Sequence, residues 1–461
     1  MSGTVKSSIE RGIERRIEKR SRRGIFQAFL ESAREAGGGA IAIVDGDGKK
    51  YTYRDLSRAS FALSGPMSRM SARGETLGVL LPTGAAGTIA LFALHASGRV
   101  PSMLNFSAGA RNLKSACAAA QIKTIVTARK FVEIGGLHDL VDALGADHKI
   151  VYLEDLKASL TWRDKARAVA GPMTPTALSH VPHPDDTGVI LFTSGTEGAP
   201  KGVVLSHANI IANAEQINSH VELLPSDRIF NPLPMFHCYG LTAGTMWPLL
   251  SGRQVALHPS PLQTKIIAKR IFETGSTILF ATDTFLQQYM RASADGGMSS
   301  LRLAVCGAER VREETRQIAN QRFSFEVLEG YGVTEGAPVL ACNQPGAVRS
   351  GTIGKFLPAI DHRIAPVPGL NDAGKLLVRG PNIMKGYISE AEPGAIKPPR
   401  DGWHDTGDVV SIDADGYITI RGRMKRFAKI GGEMVSLTVV ENCAAAVWPG
   451  MMHAAAILPD K

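Results

Sequence analysis

The sequence predicts an α/β protein of layered subdomains, and two observations carry that expectation. From about residue 24, apolar segments alternate with helical patterns: "AIAIVD", "LGVLL", "KTIVTA", "KIVYL", "GVILF", "STILFA" and "LRLAVCG". Alternation of this kind places largely parallel sheets between helices. After residue 350 the pattern changes to short strands with Gly and Pro turns, "GKLLVRGP" and "DVVSIDADGYITIRGR", which predicts a small β-rich subdomain. At 461 residues the chain is long enough for two or more domains. It contains no internal repeat and no low-complexity tract.

Residues 4–23, "TVKSSIERGIERRIEKRSRR", set eight Lys/Arg against three Glu, a net +5 out of the chain's +9. Ile9, Ile13 and Ile17 recur every fourth residue, so a basic helix with a narrow apolar stripe is expected. Such a helix either packs its stripe on the body of the protein, or lies on an anionic membrane or an acidic partner. Residues 76–98 are uncharged over the length of a membrane helix. Pro82 and Gly84 interrupt them, which favours a buried strand, a loop and a buried helix. Residues 170–188, rich in Pro, Thr and Ser, read as a surface connection. The apolar fraction of 44% and charged fraction of 21% are those of a soluble globular chain. Five scattered cysteines without a C-x-x-C pair indicate neither a zinc site nor a disulfide framework and fit a reducing cytoplasm. The charged N-terminus is not a secretory signal. No nucleic-acid partner is expected.

The stretch "LFTSGTEGAPKGVVLSH" (191–207) combines glycines, hydroxyls and Lys201 after a buried strand, "TGVILF". A Walker loop requires G-x-x-x-x-G-K-[ST]. Here the glycine before the lysine is Pro200 and the hydroxyl after it is Gly202, so the stretch is not a Walker loop. Glycine backbone N–H groups, hydroxyls and a lysine can still cradle phosphate. The plain alternative is a Gly-rich turn. "SHANIIANAEQINSH" then reads as a helix with Ser206 as its N-cap.

Four further stretches carry chemistry. "EGYGVTEGAP" (329–338) sets Tyr331, Thr334 and Glu335 in a glycine-rich turn, where a ring can stack on a base and a carboxylate can hold Mg²⁺. "PLPMFHCYGL" (232–241) surrounds His237 with apolar residues. "GWHDTGDVV" (402–410) offers Asp405 and Asp408, suited to ribose hydroxyls or to an ordinary turn. "ITIRGRMKRFAKIGGEMVSL" (418–437) is a basic, glycine-containing segment, either a hinge or a solvated face.

Taken together and in this order, the motifs resemble those of the adenylate-forming superfamily of acyl-CoA synthetases, luciferases and peptide-synthetase adenylation domains. "TSGTEGAPKGV" looks like its phosphate loop, "GYGVTE" its adenine and magnesium motif, "GWHDTGD" its ribose motif and "GRMKRFAKIGGE" its interdomain hinge. "GPNIMKGY", "EGYGVTEGAPV" and "KRFAKIGGEMVSL" more closely resemble the acyl-acyl-carrier-protein synthetase half of the bifunctional lysophospholipid acyltransferase/acyl-ACP synthetases. The resemblance implies activation of a fatty acid by ATP to acyl-AMP with pyrophosphate release. Transfer to a phosphopantetheine thiol of acyl carrier protein, or to CoA, follows.

The same resemblance assigns roles. Thr193, Ser194, Gly195, Thr196, Gly198 and Lys201 hold the β- and γ-phosphates. Tyr331 and Gly332 meet adenine, Thr334 the α-phosphate, Glu335 Mg²⁺, and Asp408 with Arg423 the ribose. His237 stands at the mouth of an acyl pocket lined by "FATDTF" and "VCGAE", which includes Gly307 and Ala308. Lys425 is the hinge. Arg426 stands where relatives often carry aspartate, so the hinge is unusually basic, which suits an acidic carrier protein. The implied division is a basic helix at 1–23, a large domain at 24–422 and a small C-terminal α/β domain at 423–461. That last domain is expected to be truncated, lacking the family's second lysine. The competing readings are a non-catalytic acyl- or nucleotide-binding homologue and an NTPase. A cytoplasmic location is expected, with membrane association through residues 4–23 as the variant.

Overall fold

The computed structural model describes residues 8–193, 199–294, 296–430, 433–448, 451 and 453–456. Two large sheets dominate it. The first has eight strands, of which Lys149–Tyr152, Thr124–Thr127, Thr76–Val79, Val100–Met103 and Thr187–Thr193 run parallel. Lys201–Ser206, Gly386–Ser389 and Glu392–Lys397 continue it antiparallel. The second has nine strands, with Ile41–Val44, Gln254–Leu257, Arg228–Asn231, Ile278–Ala281, Leu303–Cys306 and Glu326–Gly332 parallel. Every strand expected from the alternating apolar segments is present, and antiparallel strands extend one side of the first parallel run and both sides of the second. A third, antiparallel sheet contains Asp361–Val367, Leu370–Arg379, His404–Ile412 and Ile418–Arg423, which is the β-rich part after residue 350. A two-stranded hairpin, Phe427–Ile430 with Glu433–Ser436, and the helix Leu437–Val447 follow.

One apolar core joins the three sheets. Leu77 and Leu191 come from the first, Ile229 and Phe280 from the second, and Leu376 and Val410 from the third. The uncharged stretch 76–98 folds as strand, loop and helix. Nearly every side chain of that helix, Ala85–Ser97, is buried, which explains the lack of charge. Among the described residues no helix is long and apolar enough to cross a membrane.

The basic helix forms over Ser8–Ser21 and packs on the helix His207–His220. Ile17 is buried there, and Glu215 receives Arg20 at 3.1 Å and Arg16 at 3.8 Å. Ile9 remains 73% exposed, so the stripe is used only at its C-terminal end.

The segment after the phosphate stretch differs from the strand–loop–helix expectation. "KGVVLS" forms its own strand and returns antiparallel to Thr187–Thr193 before the helix begins. Ser206 then caps the helix reciprocally with Asn209, as its position predicts.

Candidate active site

Thr193 and Lys201 are paired residues at the loop end of that hairpin. Ser194, Gly195, Thr196 and Gly198 lie outside the described residues. Gly202, which replaces the Walker hydroxyl, has a packing reason: a Cβ there would sit 2.6 Å from Ile388 Cγ1 on the neighbouring strand. That strand brings the next polar group. Tyr387 pairs opposite Val203, two residues along from Lys201, and its hydroxyl donates to Glu335 Oε1 at 2.5 Å. The Thr193–Lys201 hairpin and the Glu335 turn are therefore bridged through the strand that carries Tyr387.

The turn Thr334–Gly336 is held by buried polar groups. Met384 N donates to Glu335 O at 2.8 Å, and Asn382 Nδ2 to Gly336 O at 2.6 Å. Asn213 pairs with both backbone groups of Val339, donating at 2.8 Å and accepting at 3.1 Å. Gln216 Nε2 donates to Pro358 O at 2.8 Å. Asn213 and Gln216 are fully buried, and buried amides persist where their hydrogen bonds are made.

Asp408 is the second carboxylate. It lies opposite Arg423 in the antiparallel pair of the third sheet and is buried. Tyr331 donates its hydroxyl to Oδ2 at 2.5 Å, and Arg423 Nε stands 2.8 Å from Oδ1. Burial pushes the Asp408 carboxyl up from the ordinary range, against the pull of Tyr331 and Arg423. Burial and then the adjacent Asp408 push the Tyr331 phenol well above its usual value, so it stays a donor. His404, buried in the same strand, is held below its ordinary value by burial, with Glu335 and Asp405 opposing.

Beneath Tyr331 lies an apolar cavity of about 90 Å³. Gly307, Ala308, Tyr331 and Gly332 form one part of its wall, and Tyr239, Trp247, Phe280 and Val305 another. Phe280 and residues 305–308 belong to the two segments expected to line an acyl pocket. His237 is exposed and is not part of this wall; its ring meets Phe236 at 4.8 Å, two residues before Tyr239. At the basic segment, Lys425 is exposed, while Arg426 is engaged with Glu441.

With this geometry in view, the model of the AMP-binding enzyme family matches residues 29–388. The chain belongs to the AMP-binding enzyme family. It is 31% identical over 427 residues to a feruloyl-CoA synthase of an Amycolatopsis species, covering 90% of this chain and 82% of that one. It is 26% identical over 449 residues to 4-coumarate–CoA ligase 2 of Oryza sativa subsp. japonica, covering 90% and 77%. Among solved structures, the O-succinylbenzoate coenzyme A synthetase of Bacillus subtilis in complex with ATP and magnesium ion has a TM-score of 0.77 at 21% identity. That match covers 91% of this chain and 84% of the other. It extends the fold likeness through the large sheets.

Sequence reasoning about this AMP-binding enzyme gave no role to Tyr387, Asn213, Gln216, Asn382 or Trp247. No local signal separated the two helix amides from the other polar residues of "HANIIANAEQINSH". Nothing local pointed to Tyr387, because its partner lies 52 residues away. The residues present fit Mg²⁺. Tyr387 takes one oxygen of Glu335 and leaves the other, and a hard cation held by one or two carboxylates and substrate phosphates needs no larger protein cage. Among the described residues no group of three or more His, Cys, Asp and Glu could form one.

Proposed function

We propose that this chain is an AMP-forming acid–thiol ligase that activates a compact carboxylic acid and transfers it to CoA. The observation that carries the reading is the double placement of Tyr331. It bonds Asp408 on the polar side and walls the apolar cavity on the other. A nucleotide held by Asp408 and an acid tail seated in the cavity then meet at one residue.

In this reading Thr193 and Lys201 orient the β- and γ-phosphates, Asp408 accepts the ribose hydroxyls, and the Tyr331 ring lies against adenine. Thr334 faces the α-phosphate. The acid's carboxylate attacks the α-phosphorus, pyrophosphate leaves, and the thiol then displaces AMP. Glu335 would hold Mg²⁺, which supplies charge neutralisation to the phosphates when bound. Fixed donors aimed at the developing charge supply most of the rate. Residues 423 onward are proposed as the moving small domain, with Lys425 as its hinge.

Two finer expectations change weight. The cavity, at about 90 Å³, is small for a long fatty chain, which supports a compact acid. The engagement of Arg423 with Asp408 and of Arg426 with Glu441 leaves less free positive charge for an acidic carrier protein, so CoA is the preferred acceptor. The relatives named above are CoA synthases and ligases, which supports the same choice. The test is acid-dependent release of pyrophosphate and AMP, followed by thioester formation with CoA and with holo-carrier protein. ADP as the nucleotide product would refute the proposal.

A further inference from the structure

The acid cavity is nearly all apolar, yet one donor in its wall has no partner. Four lining side chains carry a donor: Tyr239, Trp247, Tyr331 and Cys342. The Tyr239 hydroxyl donates to Val305 O at 2.7 Å, and Tyr331 donates to Asp408. The Cys342 thiol is a weak donor. The Trp247 indole Nε1 is buried and has no hydrogen-bond partner among the described residues. Trp247 is only 1% exposed, so bulk water does not satisfy it. Buried indole N–H groups ordinarily find an acceptor. Its neighbours in the wall, Phe280 at 6.0 Å between ring centroids, Ala243 and Val221, supply none from their side chains.

We infer that Trp247 reads the tail of the acid substrate, and that this tail carries an acceptor oxygen, a phenol hydroxyl, methoxy or keto group, placed to accept from Nε1. The inference rests on the proposed acid-activating role of the same cavity and names the substrate class within it. Trp247 opens the helix Trp247–Leu250, whereas Tyr331 and Gly332 lie on the strand and turn leading to Thr334 and Glu335. The two ends of the acid are therefore read by different elements, the carboxylate beside the phosphate residues and the oxygenated tail at Trp247. A site built to hydrogen-bond a substrate oxygen rejects the analogue lacking it, because the buried donor is then left unpaired.

The test uses size-matched pairs: 3-phenylpropenoate against its 4-hydroxy and 4-methoxy forms, and hexanoate against 5-oxohexanoate. Acid-dependent AMP formation gives kcat/KM, and calorimetry without ATP gives acid binding. The wild-type protein is expected to prefer the oxygenated member of at least one pair by about 10-fold or more. Trp247→Phe keeps a ring in the wall and removes the donor, so that ratio is expected to fall towards one with the plain acid still accepted. A wild type indifferent to the oxygen in both pairs overturns the inference without any variant. A preference that survives in a folded Trp247→Phe protein also overturns it, and would leave the N–H satisfied by the Phe280 face. If no acid yields AMP but binding shows the preference and its loss, the reading of Trp247 stands and the ligase reading falls.

Discussion

Replacing Asp408 by asparagine tests the polar half of the site with little change in shape. Asp408 is buried and already accepts from Tyr331 at 2.5 Å while facing Arg423 at 2.8 Å. The amide oxygen can keep the Tyr331 bond. The amide nitrogen must then face either the guanidinium or the incoming ribose hydroxyls, and it is a donor where an acceptor is needed. Hydrogen bonds to a charged group contribute about 1.5–3 kcal/mol each. Losing one or two of them, at about 1.4 kcal/mol per tenfold, predicts ATP binding weakened by roughly 10²-fold or more. The fold should lose little, because neither the Tyr331 hydroxyl nor the packing is stripped. Calorimetric titration with ATP, and with inorganic pyrophosphate as a ligand lacking ribose, separates the effects. Pyrophosphate affinity should hold while ATP affinity falls. ATP affinity within threefold of the wild type, or an equal loss for pyrophosphate, would refute the ribose assignment.

Glu335→Gln should raise the Mg²⁺ concentration needed for half-maximal adenylation by at least an order of magnitude, since an amide is a poorer ligand for a hard cation; an unchanged magnesium titration would remove Glu335 from that role. Ile17→Ala should lower global stability, or release the N-terminal helix, by about 2–4 kcal/mol, because the side chain is 1% exposed against the helix His207–His220. Denaturant unfolding together with limited proteolysis after Arg20–Arg23 reads both, and an unchanged pair would mean that the helix is not held by its stripe. Acid should destabilise the fold through His95, whose Nε2 bonds Gly188 O at 2.7 Å and whose burial lowers its pKa to about 4. The unfolded chain takes up this proton near the ordinary value and the folded one does not. The contribution is thus fully present above that value and is lost as pH falls towards about 4, by about 3 kcal/mol in all. His95→Gln should flatten the urea midpoint over that range, and an unaltered slope would exclude His95 as its source.

Much of this could be read from the sequence because the signals were local. Apolar β-branched runs marked the strands, and Pro82 with Gly84 split the uncharged stretch 76–98 into strand and buried helix. Ser206 announced the N-cap of the helix that follows it. Glu335 and Asp408 stood in glycine-rich turns, and the family resemblance of those turns singled them out. What stayed hidden depended on partners far along the chain. "KGVVLS" shows the same apolar pattern whether it continues into a helix or returns as a strand. Its choice is set by pairing with Thr187–Thr193 on one side and Gly386–Ser389 on the other. The basic helix left two fates open because only Ile17 of its stripe is buried, and the deciding residue, Glu215, lies nearly 200 positions away.

The two buried amides of the helix His207–His220 make it a truss. Its capped start is fused to the lysine-bearing strand, and its middle grips the segment from Val339 to Pro358 by side-chain hooks. The hairpin that carries Lys201 and the turn that carries Glu335 are therefore fastened to one rigid member, and neither can breathe far without straining the other. Amide protons at Val339 and at the first turn of this helix should exchange with solvent water in a single slow phase, as parts of one cooperative unit. In the proposed ligase, motion between chemical steps would thereby be pushed out to segments that the truss does not reach, the exposed Lys425 among them.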